Sequence, residues 1–125
     1  MMRIELPASN GIGTARSVAP AYGDLAVGSP RLGSTRPPSR LGRMDRVLRL
    51  ESRFSLGYCK PWRGFKFGSP AAFGTPGAGG SFGFADPQLG LGFCYAMNRM
   101  DYYLVSDPRE LALREAAAAC ARRAS

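Results

Sequence analysis

The chain contains no histidine. That absence removes the commonest protein ligand of transition metals and every general base of the imidazole type. Lysine is nearly missing too, since Lys60 and Lys66 are the only two among 17 basic residues. Cysteine is limited to Cys59, Cys94 and Cys120, an odd set without metal-type spacing. Cys94 falls in an expected strand and Cys120 on an expected helix, where both read as small buried apolar residues. Neither a cofactor nor a metal site is expected. No apolar run approaches the ~18 residues that suggest a membrane span. The N-terminus Met1-Met2-Arg3-Ile4-Glu5-Leu6-Pro7 also lacks the apolar core of a signal segment. Unpaired thiols suit a reducing compartment, so the expected location is the cytoplasm.

What is present is glycine, proline and arginine. A length of 125 residues allows one small domain with a real core, while 16 Gly and 10 Pro put irregular structure between its elements. The formal net charge is +8. Arg31, Arg36, Arg40, Arg43, Arg46, Arg49 and Arg53 face only Asp45 and Glu51 in the same tract. Such a tract could bind phosphates, and a small basic nucleic-acid-binding protein is the alternative reading. The known DNA-reading signatures are absent, and a solvated Arg-rich loop is the simpler account.

Along the chain, residues 1–11 read as extended and end in the turn signal Ser9-Asn10-Gly11. Thr14 is a suitable N-cap for a helix whose Ala15, Val18, Tyr22 and Leu25 share one face. Pro20 removes an amide donor inside that helix and predicts a kink or a frayed turn near residues 16–20. Residues 28–45, rich in Arg, Pro and Gly, lack periodicity and read as a long loop or locally disordered segment. Phe54, Leu56 and Tyr58 alternate with Ser55 and Gly57, as in a half-buried strand. Gly64–Gly68 reads as a second short strand. The clearest pair is 79–85 with 91–97, joined by the turn Asp86-Pro87-Gln88-Leu89-Gly90. Phe82 and Phe84 share one face of the first strand, and Phe93, Tyr95 and Met97 share one face of the second. A final helix begins at Asp107 as N-cap, with Pro108 at its first position and Glu110 completing a capping box. Its expected inner face is Leu111, Ala112, Ala116, Ala119 and Cys120, and Arg122 and Arg123 suit its C-terminus.

Several motifs fail as chemistry. The run from Gly74 to Ser81 has P-loop spacing, but Gly80 stands where the Lys is needed and a strand follows instead of a helix. Asp86 and Asp101 lie far apart beside turns, where turn formation is their simplest role. Ser9, Ser55 and Ser81 sit in no G-x-S-x-G elbow, and no His is available to activate them.

The run Phe73-Gly74-Thr75-Pro76-Gly77-Ala78-Gly79-Gly80-Ser81-Phe82-Gly83-Phe84-Ala85-Asp86-Pro87, followed by Gly90–Met100, resembles the C-terminal active-site wall of β-lactamase-related serine hydrolases. Ile4–Gly11, Thr14-Ala15-Arg16 and Arg53–Tyr58 resemble ordered blocks of the same family, so the likeness covers most of residues 3–118. It implies an incomplete single domain over 1–125, matching the C-terminal part of a class C-like β-lactamase or penicillin-binding-protein-like esterase. The implied fold is α+β, a partial β-lactamase/transpeptidase-like fold with an antiparallel sheet packed by N- and C-terminal helices. Thr75, Pro76, Gly77 and Ala78 would be the substrate-cleft wall. Gly77 would allow close approach, and the Ala78 N–H would be one oxyanion donor.

The departures limit what the chain can do. It contains no S-x-x-K, so no catalytic residue of its own is expected. Tyr95-Ala96-Met97-Asn98 is one residue too long for the family's Y-x-N motif and follows the wall instead of preceding it. Thr75 replaces the family's basic or imidazole residue. The resemblance therefore implies ester or β-lactam hydrolysis through an acyl-enzyme in a complete protein, with a small acyl substrate, and inactivity for this chain alone. Among partners, membrane is excluded and nucleic acid disfavoured, while an exposed sheet edge would invite self-association.

Overall fold

The computed structural model describes residues 11–28, 42–47 and 49–124. The expected extended start at residues 1–10 and most of the Arg-rich loop, 29–41, lie outside them. Thr14 leaves extended backbone (φ −103°, ψ 156°) and starts α1, Ala15–Val27. Its hydroxyl accepts from the Ser17 N–H at 3.2 Å, and the Ser17 hydroxyl accepts from the Thr14 N–H at 3.1 Å. The expected disturbance at Pro20 does not occur, and α1 runs unbroken through it. Pro20 is exposed, so the carbonyl it leaves without a helical partner can turn to water.

Seven short strands follow. β1 (Arg43–Met44) pairs antiparallel with β2 (Glu51–Ser52), so the expected loop gives way to strand at Arg43. The remaining five form one antiparallel sheet in chain order: β3 (Phe54–Ser55), β4 (Tyr58–Cys59), β5 (Phe73–Pro76), β6 (Phe82–Asp86) and β7 (Leu91–Tyr95). The expected strand across 54–58 is instead a tight hairpin. Leu56 and Gly57 form its two-residue turn with φ of 50° and 85°, the positive pair of a type I′ connection. Burial there is also inverted: Phe54 and Leu56 are exposed, and Ser55 is buried. The expected strand at 64–68 is absent. A single bridge joins Trp62 to Phe65, and Phe65 and Phe67 fold inward without pairing further.

The register Gly83↔Cys94 and Thr75↔Gly83 puts Thr75, Gly83 and Cys94 on one face of the sheet. Phe82, Phe84, Phe93 and Tyr95 share the other, as the alternation predicts. α1 covers the first face, where Ala26, Phe73 and Ala85 are buried with Tyr22, Leu25 and Tyr58 around them. The second face carries the larger core of Trp62, Phe65, Phe67, Phe82 and Phe84. Ring centroids there lie 5.0–5.6 Å apart, mostly edge to face. α2 (Pro108–Ala124) lies against this aromatic layer.

α1 approaches the sheet backbone to backbone. A Cβ on Gly92 would overlap the Gly23 amide and the Ala19 carbonyl, and one on Gly83 would enter the Tyr22 ring. Gly92→Ala is expected to cost about 1–3 kcal/mol, because rigid backbone opposes it. Leu56→Asn, which relieves a left-handed leucine in the I′ turn, is expected to gain about 0.5–1 kcal/mol. Urea unfolding midpoints of the two variants check both signs.

Candidate functional site

Thr75 and Pro76 end β5, and Gly77 and Ala78 open the five-residue connection to β6. The structure thus brings the four expected wall residues into one continuous ledge. The Gly77 N–H donates to the Ser81 carbonyl at 2.7 Å, and the Gly80 N–H donates to the Gly77 carbonyl at 3.2 Å. Gly79 and Gly80 take φ of 96° and 109°, which L side chains rarely adopt. Among the described residues, the Ala78 N–H donates to no backbone carbonyl, and Ala78 is exposed at the tip.

On the α1 side of the ledge lies an open groove of about 620 Å³. Thr75 and Gly77 form one bank, Gly83 and Cys94 the floor, and Thr14 and Val18 the far bank. Tyr22 reaches across Gly83, on the face of the sheet that carries Thr75. Burial raises the Tyr22 phenol above its ordinary value, and the nearby Thr75 hydroxyl only partly opposes this. Burial likewise raises the Cys94 thiol, which keeps it protonated and a poor nucleophile.

Behind the ledge stands the first turn of α2. Asp107 accepts from the Arg109 N–H and from Arg109 Nε, both at 2.9 Å, while Arg109 Nη1 donates to the Arg99 carbonyl at 2.9 Å. The Asp107 carboxylate lies where a Cβ on Gly80 would sit. Hydrogen bonds from Arg109 hold the Asp107 carboxyl below the usual carboxylate range. Asp107 caps α2 as expected, but Glu110 does not close a capping box; it turns inward to Arg114, at 3.1 Å. Both side chains are only 2–3% exposed. The Arg114 guanidinium lies 5.3 Å from the Phe65 ring centre and 5.5 Å from that of Phe82.

The buried face of α2 is therefore Glu110, Arg114 and Ala118, while Ala112, Ala116 and Cys120 from the expected inner face are exposed. The buried face is thus turned by nearly half a turn from the expected one. The i, i+4 spacing of Glu110 and Arg114 was the available signal. Asp86 is fully buried and accepts from the Ser69 N–H, the Ser69 hydroxyl and the Gln88 N–H, and the Asp101 carboxylate accepts from the Tyr102 N–H. Both act in turns. Ser55 is buried away from the groove, Ser81 lines it, and Ser9 lies outside the described residues. Of the Arg tract, Arg53 pairs with Glu51 at 3.5 Å, and Arg31, Arg36 and Arg40 lie outside the described residues.

No family model matches the chain. It is 35% identical to the esterase/β-lactamase LipL of Mycobacterium tuberculosis, over 80% of this chain and 25% of that protein. A family VIII carboxylesterase superposes with a TM-score of 0.76 and 37% identity, covering 86% of this chain and 32% of its own. A penicillin-binding protein homologue from Caulobacter crescentus gives a TM-score of 0.82 and 36% identity, covering 94% and 34%. The chain thus spans about a quarter to a third of the proteins it matches. These likenesses give the nucleic-acid alternative no support.

Burial pushes the Glu110 carboxyl up to about 7, against an ordinary 4.5, and the Arg114 charge opposes this only in part. The folded state then holds the Glu110 proton more tightly than the unfolded chain. Stability from this group is complete below about pH 4.5 and is lost as pH rises to about 7. Chemical denaturation across that range should show wild-type stability falling relative to Glu110→Gln, and parallel curves would contradict it.

Proposed function

Because the chain is a C-terminal segment of the β-lactamase-related serine hydrolase fold, we propose that Thr75, Pro76, Gly77 and Ala78 form one wall of an acyl-transfer cleft. The carrying observation is the ledge itself. Gly77 leaves no side chain between the β5 end and an incoming group, and the exposed Ala78 N–H is free to donate. A backbone donor held this way can stabilise the oxyanion of a tetrahedral intermediate, an effect of about 3–4 kcal/mol in enzymes of this kind. The nucleophile would come from an S-x-x-K segment, which these 125 residues do not contain. The chain by itself is then a cleft wall without turnover, and the ester or β-lactam substrate belongs to the complete site.

The outer edge of β7, which pairs only with β6 among the described residues, is where we propose that association occurs. No helix among the described residues is long and apolar enough to cross a membrane. Cys59, Cys94 and Cys120 are free thiols, which supports our placement in a cytoplasmic, reducing compartment.

Incubated with a chromogenic β-lactam, a p-nitrophenyl ester and a fluorophosphonate probe, the purified chain is expected to show no burst and no serine adduct. Mixed with the S-x-x-K-bearing part of a related esterase, it should restore ester hydrolysis. Gly77→Val, whose side chain collides with the Ser81 hydroxyl and so shifts the loop holding the Ala78 N–H, should then lower kcat about 100-fold, the size of losing one oxyanion donor. A serine adduct on the isolated chain would refute the inactivity, and full activity of the Gly77→Val mixture would refute the wall.

A further inference from the structure

We infer that the groove beside Thr75 receives an uncharged acyl group and rejects one that carries a carboxylate. This rests on the hydrolase reading and narrows its substrate class. Among the described residues, none that lines the groove is Asp, Glu, Lys or Arg, although the chain carries a net charge of +8. The polar side chains offered to a ligand are hydroxyls and a thiol, among them Thr75, Tyr22, Ser81 and Cys94. An anion lying against that lining would lose part of its water without meeting a cation, which disfavours it relative to a neutral group. A neutral carbonyl meets no such penalty and finds hydroxyl donors at hand.

The charges behind the ledge do not repair this. Asp107 and Glu110 line the small cavity on the reverse side of Gly77 and Ser81. Neither of the two cations beside them lines the groove. Arg109 donates to Asp107 and to the Arg99 carbonyl. Arg114 is buried beside Glu110 against Phe65 and Phe82. The carboxylates are thus the ionisable groups facing the wall, and the positive ends are held behind or beside them. Among the described residues, the other arginines are also absent from the groove lining. The charge that draws anions to this protein as a whole is absent where the acyl group would sit.

Two molecules of one skeleton separate the cases: dimethyl glutarate, whose acyl group is neutral, and monomethyl glutarate, whose acyl group carries a carboxylate. Each is titrated into the ¹⁵N-labelled 125-residue chain, and amide shifts are followed at Thr75, Gly77, Gly83 and Cys94. The diester should move these four amides with a dissociation constant about tenfold or more below that of the carboxylate. The carboxylate should act at arginine-flanked amides elsewhere. Thr75→Lys should bring carboxylate binding into the groove, and Thr75→His should do so only below about pH 6, where imidazole is charged. Equal or tighter carboxylate binding at the four wild-type amides overturns the inference, as does a diester that moves none of them. The readout needs no turnover, so the selectivity can fail while the hydrolase reading stands. Failure of the mixing experiment with the related esterase would instead remove the hydrolase reading.

Discussion

α1 and β7 meet backbone to backbone at Gly23 and Gly92. No side chain separates them there. Everything on that face follows from this contact. It sets the height of Tyr22 above Gly83, hence its nearness to Thr75. It also fixes where the capped start of α1 stands relative to the β5 end, and so the width of the groove between them. The opposite face obeys a different rule. There, large rings fill the space between sheet and α2, and position is set by packing volume instead of backbone contact.

The two faces divide the work around the ledge. One offers neutral surface to a ligand. The other supplies rigidity through an Asp107–Arg109 clamp that joins the ledge, the segment at Arg99 and the start of α2. Buried ion pairs stabilise little in net terms, because desolvation consumes most of the attraction. Their directionality is what matters here: Asp107 can satisfy Arg109 only if Gly80 leaves room for its carboxylate.

Much of the architecture was legible from residue order. The caps at Thr14 and Asp107, the hairpin turned at Asp86–Gly90 and the shared face of Phe82 and Phe84 are local chemistry, and local chemistry survives folding. Thr75–Ala78 were singled out only through likeness to a known family, and their wall role is a proposal. What escaped was set by tertiary contact. Arg114 faces inward because an aromatic layer awaits its guanidinium, a fact invisible in helix periodicity alone. Leu56 turns the chain because Gly57 follows it, overriding an apolar alternation that otherwise reads as strand. α1 runs unbroken through Pro20, which lies exposed on the helix, so the expected break depended on which side of the helix it occupied.

The Gly80–Asp107 contact also governs where this ledge can vary. Position 80 is closed to every side chain by the carboxylate and by its backbone angle, position 77 is crowded by Ser81, and position 79 is left-handed against Met100. In the connection between β5 and β6, Ala78 alone is exposed and free of positive φ. Diversity in that connection is thereby funnelled into one residue, whose side chain can change without disturbing the scaffold that holds its amide. The loop is a fixed frame with a single interchangeable tooth.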